Sequence, residues 1–437
     1  MILSKGKGLT MEHWTRRKFI QTTGAGIVAS AAPFIVTGAT VPPSERLRHA
    51  VIGMGGRGRD LARGFAAAKG CQVVAVCDVD PERCAAAAKE LAGSAKVAQY
   101  ADHRKVIEDK TIDTVSIATC DHWHTPIALA AIVSGKHVYV EKPCSHNVIE
   151  GHLLMEAAKK FRKCVQHGTQ SRGNGDIKAA IKLMRDGGLG KVRMAKAINH
   201  QFRPPIGRAP ETDPPPGVNY DLWLGPAPKR PFTSNRWHYN WHWFWDYGTG
   251  DMGNDGIHQV DIARWGLGVG FPNVLTASGG QLFYDDDHET PDTQVVTFEY
   301  DHCYLMYEMR LWTRYKVEGH ENGDVFYGDK GRLDIGGGGC VLQLVGEEEK
   351  RITAPAGPGI IQNFIDAVKA DDPSLLEAPI EEGAVSAALC HLGNITTRLS
   401  CGQLKYDPVK RIVPGNAEAT RLLSREYRSG YELAYTG

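Results

Sequence analysis

Apolar and polar positions along the first 170 residues switch regularly between two periods. Short apolar runs at Arg48–Ile52, Gln72–Cys77, Thr114–Thr119, His137–Val140 and Cys164–His167 read as buried strands, with a shorter one near Val97–Gln99. Amphipathic stretches lie between them: Gly56–Lys69, one starting at Pro81, one ending at Glu108, Thr125–Ser134 and Val148–Arg162. Asp80 and Asp102 stand where helix caps belong, and Pro81 occupies a first helical position. Strands alternating with helices at this spacing predict a parallel, doubly wound sheet. Beyond residue 170 the pattern changes. A helix over Gly175–Asp186, with Ile177, Ala180, Ile181 and Met184 on one face, leads to a strand at Val192–Asn199. About fifty irregular residues rich in Pro and Trp follow, and a helix is expected from Asn254 onward. Strands are then expected at Asn273–Ala277, Thr293–Tyr300, Cys303–Arg310, Asp324–Gly328, Arg332–Ile335 and Cys340–Val345, without helices between them. That implies an open, mostly antiparallel sheet. Helices at Ile360–Lys369 and Ile380–Leu399 close the pattern, the second expected to pack back on the first domain. The expected organisation is a leader over 1–40, an α/β domain over 46–170, an α+β domain over 171–400 and a tail over 401–437 without functional signal.

The turn after the first strand gives the α/β domain a purpose. Gly53-Met54-Gly55-Gly56-Arg57-Gly58 links strand to helix, and the next strand ends on Asp78, 20 residues after Gly58. Glycines in that context are the fingerprint of a Rossmann-type dinucleotide site. Gly53 allows the tight turn, Gly55 lets a pyrophosphate approach the backbone, and Gly58 lets helix and strand pack closely. The helix start from Gly56 and Arg57 offers free N–H groups to phosphate. Asp78 suits the ribose hydroxyls and repels a 2′-phosphate, so NAD is expected over NADP.

Ligands of such sheets bind beyond the carboxyl ends of the strands. Two loops there carry chemistry: Ala118-Thr119-Cys120-Asp121-His122-Trp123-His124 and Glu141-Lys142-Pro143-Cys144. Lys142, between an acid and a rigid Pro, can polarise a substrate oxygen; the competing reading is a solvated Lys paired with Glu141. In the irregular segment, Trp237 to Tyr247 is mostly aromatic. The flat faces of Trp237, Trp241, Trp243 and Trp245 suit a sugar ring, although aromatic side chains also fill cores and interfaces. Asn254 and His258 stand four apart, on one helix face. His258 has an unperturbed pKa near neutrality and is the candidate general base. Asn254 can bind a hydroxyl but cannot take a proton. Asp251 and Asp255 are nearby acids without the same spacing, and Asp261 reads as structural.

Gly135-Lys136-His137-Val138-Tyr139-Val140-Glu141-Lys142-Pro143 resembles the signature of the glucose–fructose oxidoreductase / inositol dehydrogenase / rhizopine catabolism (Gfo/Idh/MocA) family. The loop Ala118-Thr119-x-Asp121-x-x-His124, then Gln170-Ser171-Arg172 and Gly188-Leu189-Gly190-Lys191-Val192, are similar to that family's pattern from about Arg48 to Leu399. The resemblance implies an enzyme in which Lys142 sits beside the nicotinamide and His258 faces it. It places Thr119, Asp121, His124, Glu141 and Lys142 with Gly53, Gly55, Gly56, Arg57, Gly58 and Asp78 around the cofactor. Arg172, the four Trp residues, Asn254 and His258 fall on the substrate side. The chain departs from the family's pattern at Asn254, where the family carries an acid, and at Cys120-Asp121, where a Pro-Asn pair is more usual.

Composition removes some alternatives. With 51 basic and 50 acidic residues there is no charged face for nucleic acid or anionic membrane. The ten cysteines are scattered without a CxxC, so buried thiols are expected rather than disulfides or a metal cluster. Thr15-Arg16-Arg17-Lys18-Phe19-Ile20 precedes an Ala- and Gly-rich apolar run, the form of a twin-arginine export signal and too short for a membrane span. An extracytoplasmic protein is therefore expected, with reading from Met11 as an alternative start. The expected activity is an exported NAD-dependent oxidoreductase acting on a sugar or polyol. Two alternatives stand beside it. One is a redox-neutral glycoside hydrolase that keeps NAD tightly bound; the other is a cofactor-holding sugar-binding protein without turnover. The partners expected are a small sugar or glycoside and further copies of the chain through the second sheet.

Overall fold

The computed structural model describes residues 45–91 and 96–437, so the expected export leader lies outside the described residues. Six parallel strands form the first sheet: β1 (Leu47–Ile52), β2 (Cys71–Cys77), β3 (Ala98–Tyr100), β4 (Thr114–Ile117), β5 (His137–Val140) and β6 (Val165–His167). Their order is β3-β2-β1-β4-β5-β6. The apolar runs were legible because the inner strands are covered on both faces: Val51, Val76, Val115, Val138 and Val140 are all at 0% exposure. Strand order reverses between β1 and β4, and the glycine turn sits at that switch point. Gly53 N–H donates to Cys77 O at 2.8 Å and Ala118 N–H to Ile52 O at 2.8 Å, which draws the three strand ends together.

The second sheet has nine strands in the order β16-β15-β14-β13-β7-β12-β11-β10-β17. They are β7 (Val192–Asn199), β10 (Val274–Gly280), β11 (Thr293–Glu299), β12 (Tyr304–Arg310), β13 (Asn322–Gly328), β14 (Gly331–Gly336), β15 (Gly339–Leu344), β16 (Lys350–Ile352) and β17 (Gln403–Leu404). Its neighbours pair antiparallel except β7 with β12, which run parallel. The remaining two strands, β8 (Glu211–Thr212) and β9 (Phe232–Thr233), form a separate ribbon. One face of the large sheet carries the helices Gly256–Leu267 and Ile380–Leu399. Glycines permit the contact: a Cβ on Gly256 would lie 2.3 Å from the Tyr307 hydroxyl, and one on Gly266 2.3 Å from Phe326. Ile380–Leu399 also reaches the first sheet's layer, where His391 meets Ser145 at 3.1 Å. That helix therefore packs against both sheets.

Two local differences bear on the site. The helix expected from Thr125 begins at Asp121 and continues through Pro126. Proline removes the N–H that would have served the carbonyl four residues back, at His122. Arg425 of the C-terminal tail fills that role, donating from Nη2 to His122 O at 2.6 Å. The helix expected from Asn254 is broken at Asp255 into Gly250–Asn254 and Gly256–Leu267. The tail is itself structural. Arg428 donates to Gly225 O at 2.8 Å and to Asp221 at 2.6 Å, which pins the short helix Tyr220–Leu224.

Candidate active site

A cavity of about 440 Å³ opens beyond the ends of β1, β2 and β4, within the roughly 300–1,000 Å³ usual for ligand sites. Gly53, Gly55, Gly56, Arg57, Asp78, Thr119, Asp121, His124, Glu141 and Lys142 line it from the first sheet, with Trp237, Trp241 and Asn254 opposite. Gly53 takes φ +89°, and a Cβ there would lie 2.5 Å from Ala118 O. Gly58 lies behind the turn, where a Cβ would meet Gly53 O at 1.7 Å, while Gly56 has open space in front of it. The loop is thus a bare backbone cradle at a helix start, the form a pyrophosphate requires.

Asp78 is fixed on that cradle. Its Oδ2 accepts from Met54 N–H at 2.6 Å and its Oδ1 from Asp80 N–H at 2.9 Å. Burial pushes its pKa up, against those two donors. Arg57 Nε donates to Glu141 Oε1 at 2.6 Å; burial works against the guanidinium charge, but Glu141 with Tyr139 and Asp60 together raise its pKa. His124 ties two loops together, with Nδ1 at 2.6 Å from Pro143 O and Nε2 at 3.1 Å from Thr119 O. Burial lowers its pKa to about 4, so the ring is neutral, and the shorter contact assigns its proton to Nδ1. Asp121, almost fully buried, accepts from Thr249 Oγ1 at 2.8 Å; burial raises its pKa to about 7 against the pull of Thr249 and Lys142.

Lys142 precedes a cis Pro143. Its Nζ donates to the backbone oxygen of Asn254 and to Asn254 Oδ1, the latter at 3.1 Å. The competing reading of a Lys paired with Glu141 is therefore overturned: that carboxylate is held by Arg57 and meets Lys142 through its backbone N–H, at 3.3 Å. Asn254 Nδ2 donates to Asp251 Oδ1 at 2.8 Å. Asp255 turns away, accepting from Asn322. His258, half-buried, follows one turn later and is not among the residues that line the cavity. Its side chain makes no hydrogen bond among the described residues. Burial first, then the Lys142 charge, lowers its pKa to about 3. The expectation of a near-neutral pKa is corrected accordingly: the ring is uncharged at pH 7, free to accept a proton but a weaker base than an exposed imidazole.

With His258, four expected substrate residues fall outside the lining, the others being Trp243, Trp245 and Arg172. Trp243 is 1% exposed and packs in the core, its ring 5.2 Å from His288. The Trp245 ring lies under the Arg398 guanidinium at 4.4 Å, and its backbone N–H donates to Glu289 Oε2 at 2.7 Å. The 3₁₀ turn Asn240–Trp243 sends successive side chains around the loop, so the four rings cannot share one face. Arg172 is in a buried pair, donating to both Asp261 oxygens at 2.8 and 2.9 Å and to Glu382 at 3.1 Å. Burial pushes the Asp261 carboxyl up, but Arg172, Arg264 and the Ser386 hydrogen bond together hold it below its ordinary pKa, in keeping with a structural role. Removing one partner of a buried pair strands the other charge. Arg172→Met should therefore cost about 3–5 kcal/mol of unfolding free energy by denaturant titration; a loss under about 1 kcal/mol would refute this placement.

Sequence reasoning passed over Tyr239 and His242, which line the substrate side, and Trp123, Leu222 and Trp223, which wall the cleft. Trp123 Nε1 donates to Leu222 O at 3.1 Å, so this wall is built across 99 residues of sequence. No local spacing could have announced it. His238, at φ +62°, brings its Nε2 within 3.9 Å of Asp80 and so spans the cleft.

Residues 47–169 match the family described as "Oxidoreductase family, NAD-binding Rossmann fold", and residues 206–433 its "C-terminal alpha/beta domain". A Glycosyl hydrolase family 109 protein of Saccharopolyspora erythraea is 31% identical over 193 residues, a match spanning 42% of this chain and 42% of that protein. The chain thus aligns with less than half of that relative's length. The WlbA dehydrogenase of Bordetella pertussis, solved with NADH and UDP-GlcNAcA, superposes with TM-score 0.63 at 19% identity, covering 83% of this chain and 99% of that one. Aldose-aldose oxidoreductase from Caulobacter crescentus gives TM-score 0.66 at 18% identity, covering 82% and 99%. At such identity these two structures carry the fold alone. The glycine cradle, the Lys142 loop and both matched regions give one conclusion: the chain belongs to the Gfo/Idh/MocA oxidoreductase family, with its NAD-binding Rossmann fold and its C-terminal α/β domain.

Proposed function

We propose that this protein oxidises a hydroxyl of a sugar or polyol with NAD. The observation that carries the reading is the Lys142 ammonium, held by Asn254 in a cavity with the glycine cradle at one end and Trp237 and Trp241 on the facing wall. Gly53, Gly55, Gly56 and Arg57 would hold the phosphates and Asp78 the ribose, with the negative charge of Asp78 favouring NAD over NADP. Bound there, NAD supplies the hydride acceptor; the protein's work is to position and polarise. Lys142 uses two of its three protons on Asn254 and has one left for the substrate oxygen. His258, neutral and without a hydrogen-bond partner among the described residues, is the nearest candidate for the hydroxyl proton and, standing outside the lining, takes it through a water. Trp237 and Trp241 give the sugar an apolar face.

The name carried by the curated relatives favours a second reading, glycoside cleavage with no net oxidation on a permanently held NAD. Export of the protein, proposed from the Arg16-Arg17 leader, fits this version, because no free nicotinamide pool is expected outside the cytoplasm. The open face of the nine-stranded sheet, where Val295 and Tyr304 are exposed, is proposed as the contact between copies. One experiment separates the readings. Mass spectrometry of the purified protein should find near-stoichiometric NAD, and a panel of sugars and aryl glycosides should be assayed without added nucleotide. Phenol release marks the hydrolase; reduced nicotinamide absorbance with a free sugar marks the dehydrogenase. Absence of bound and exchangeable NAD together would end both.

A further inference from the structure

We propose that Asp251 is the positioning residue that aims Lys142, acting through the side-chain amide of Asn254. The proposal rests on the reading that Lys142 polarises the substrate oxygen. An Asn side chain can present either its oxygen or its NH₂ to a neighbour. Here the choice is forced. Asn254 Nδ2 donates to Asp251 Oδ1 at 2.8 Å, which turns Oδ1 toward Lys142 Nζ at 3.1 Å. The flipped amide would set an oxygen against the Asp251 carboxylate and an NH₂ against the ammonium, losing both bonds.

Asp251 is itself fixed from the opposite side. It is fully buried and does not line the cavity. Arg203 Nη2 stands 3.2 Å from its Oδ1, and Asn199 Nδ2 donates to its Oδ2 at 3.0 Å. Thr249, which precedes the short helix carrying Asp251, is anchored at two points. Its hydroxyl donates to Asp121 at 2.8 Å, and its carbonyl accepts from Asn394 at 2.7 Å. Asn254 therefore supplies an oxygen where an acid would supply a charge. The balancing negative charge sits one turn earlier, beyond the reach of substrate. Lys142 keeps its direction without a carboxylate competing for its remaining proton.

Two substitutions separate aim from charge. Asp251→Ala removes the acceptor and frees the Asn254 amide to flip. Asp251→Asn keeps an acceptor for Asn254, and its NH₂ can be taken up by Asn199 Oδ1, which has no hydrogen-bond partner among the described residues. The expected result is a kcat about 100-fold lower in Asp251→Ala, with KM and bound NAD within twofold of the starting protein, and kcat within fivefold in Asp251→Asn. A folded Asp251→Asn as inactive as Asp251→Ala, or a loss confined to KM, overturns the proposal. Should Asp251→Ala not fold, Asp251→Leu, which fills the space and still offers no acceptor, takes its place with the same expected loss. A readout without turnover keeps this distinct from the activity itself: labelling of Lys142 by methyl acetimidate, followed by peptide mapping. Labelling should be unchanged in Asp251→Asn and about fivefold faster in Asn254→Ala. Equal rates in all three proteins overturn it even if no sugar is ever turned over.

Discussion

Replacing Lys142 with methionine is expected to lower kcat about 1,000-fold while the protein still folds and retains its nucleotide. The size follows from what is lost. Withdrawing one preorganised donor from a developing oxyanion costs roughly 100–1,000-fold, and the upper end applies because the same ammonium also steadies the oxygen during proton transfer. The fold survives because the two oxygens that Lys142 leaves on Asn254 border the cavity, where water can replace the ammonium. A second change accompanies the first. The Lys142 charge is one of the causes that hold the His258 pKa down, after burial, so its removal moves that pKa up. The variant's residual activity should therefore lose rate at a higher pH than the parent does as the solution is acidified, because His258 must be uncharged to accept a proton. The assay is kcat against pH on one substrate, with NAD content by mass spectrometry. A kcat within tenfold of the parent would remove Lys142 from the chemistry.

What could be read from the sequence divides along physical lines. The parallel sheet was legible because β1, β4 and β5 are buried on both faces, which forces continuous apolar runs. The glycine turn and Asp78 were legible because a ligand's approach to backbone dictates residue type at fixed positions. Lys142, Asn254 and His258 came from motif resemblance, and the fold brings them into one neighbourhood. The aromatic loop was half legible. Composition announced that rings would cluster there, but a 3₁₀ turn decided that Trp237 and Trp241 face the cavity while Trp243 and Trp245 do not. Arg172 was misassigned because a buried ion pair leaves no periodic trace; its partner lies 89 residues away. The tail gave no signal for the same reason. Arg425 and Arg428 satisfy carbonyls at His122 and Gly225, and those needs are visible once the chain is folded.

Gly58→Ala is expected to empty the nucleotide site and to destabilise the fold by about 3 kcal/mol or more, at the severe end for a single methyl group. Two effects compete. Gly58 is the third residue of the helix Gly56–Ala67, and alanine is favoured over glycine in a helix by about 1 kcal/mol. Against this, the new Cβ would stand 1.7 Å from the Gly53 carbonyl oxygen, a separation no pair of atoms tolerates. Gly53 cannot retreat. Its φ of +89° is set by the turn, and its own Cα side faces the Ala118 carbonyl, 2.5 Å from where a Cβ would be. Relief must come from tilting the helix start off β1, which spreads the N–H groups that face the pyrophosphate and pulls Met54 N–H from Asp78. Gly56→Ala is the matched control, since its Cβ would meet nothing within 4 Å. That variant should unfold within about 1 kcal/mol of the parent. Thermal unfolding with and without added NAD, together with nucleotide content, separates the two. A Gly58→Ala protein with parental content and stability would mean that the helix and β1 do not need this close approach, and the cradle would lose its claim to the cofactor.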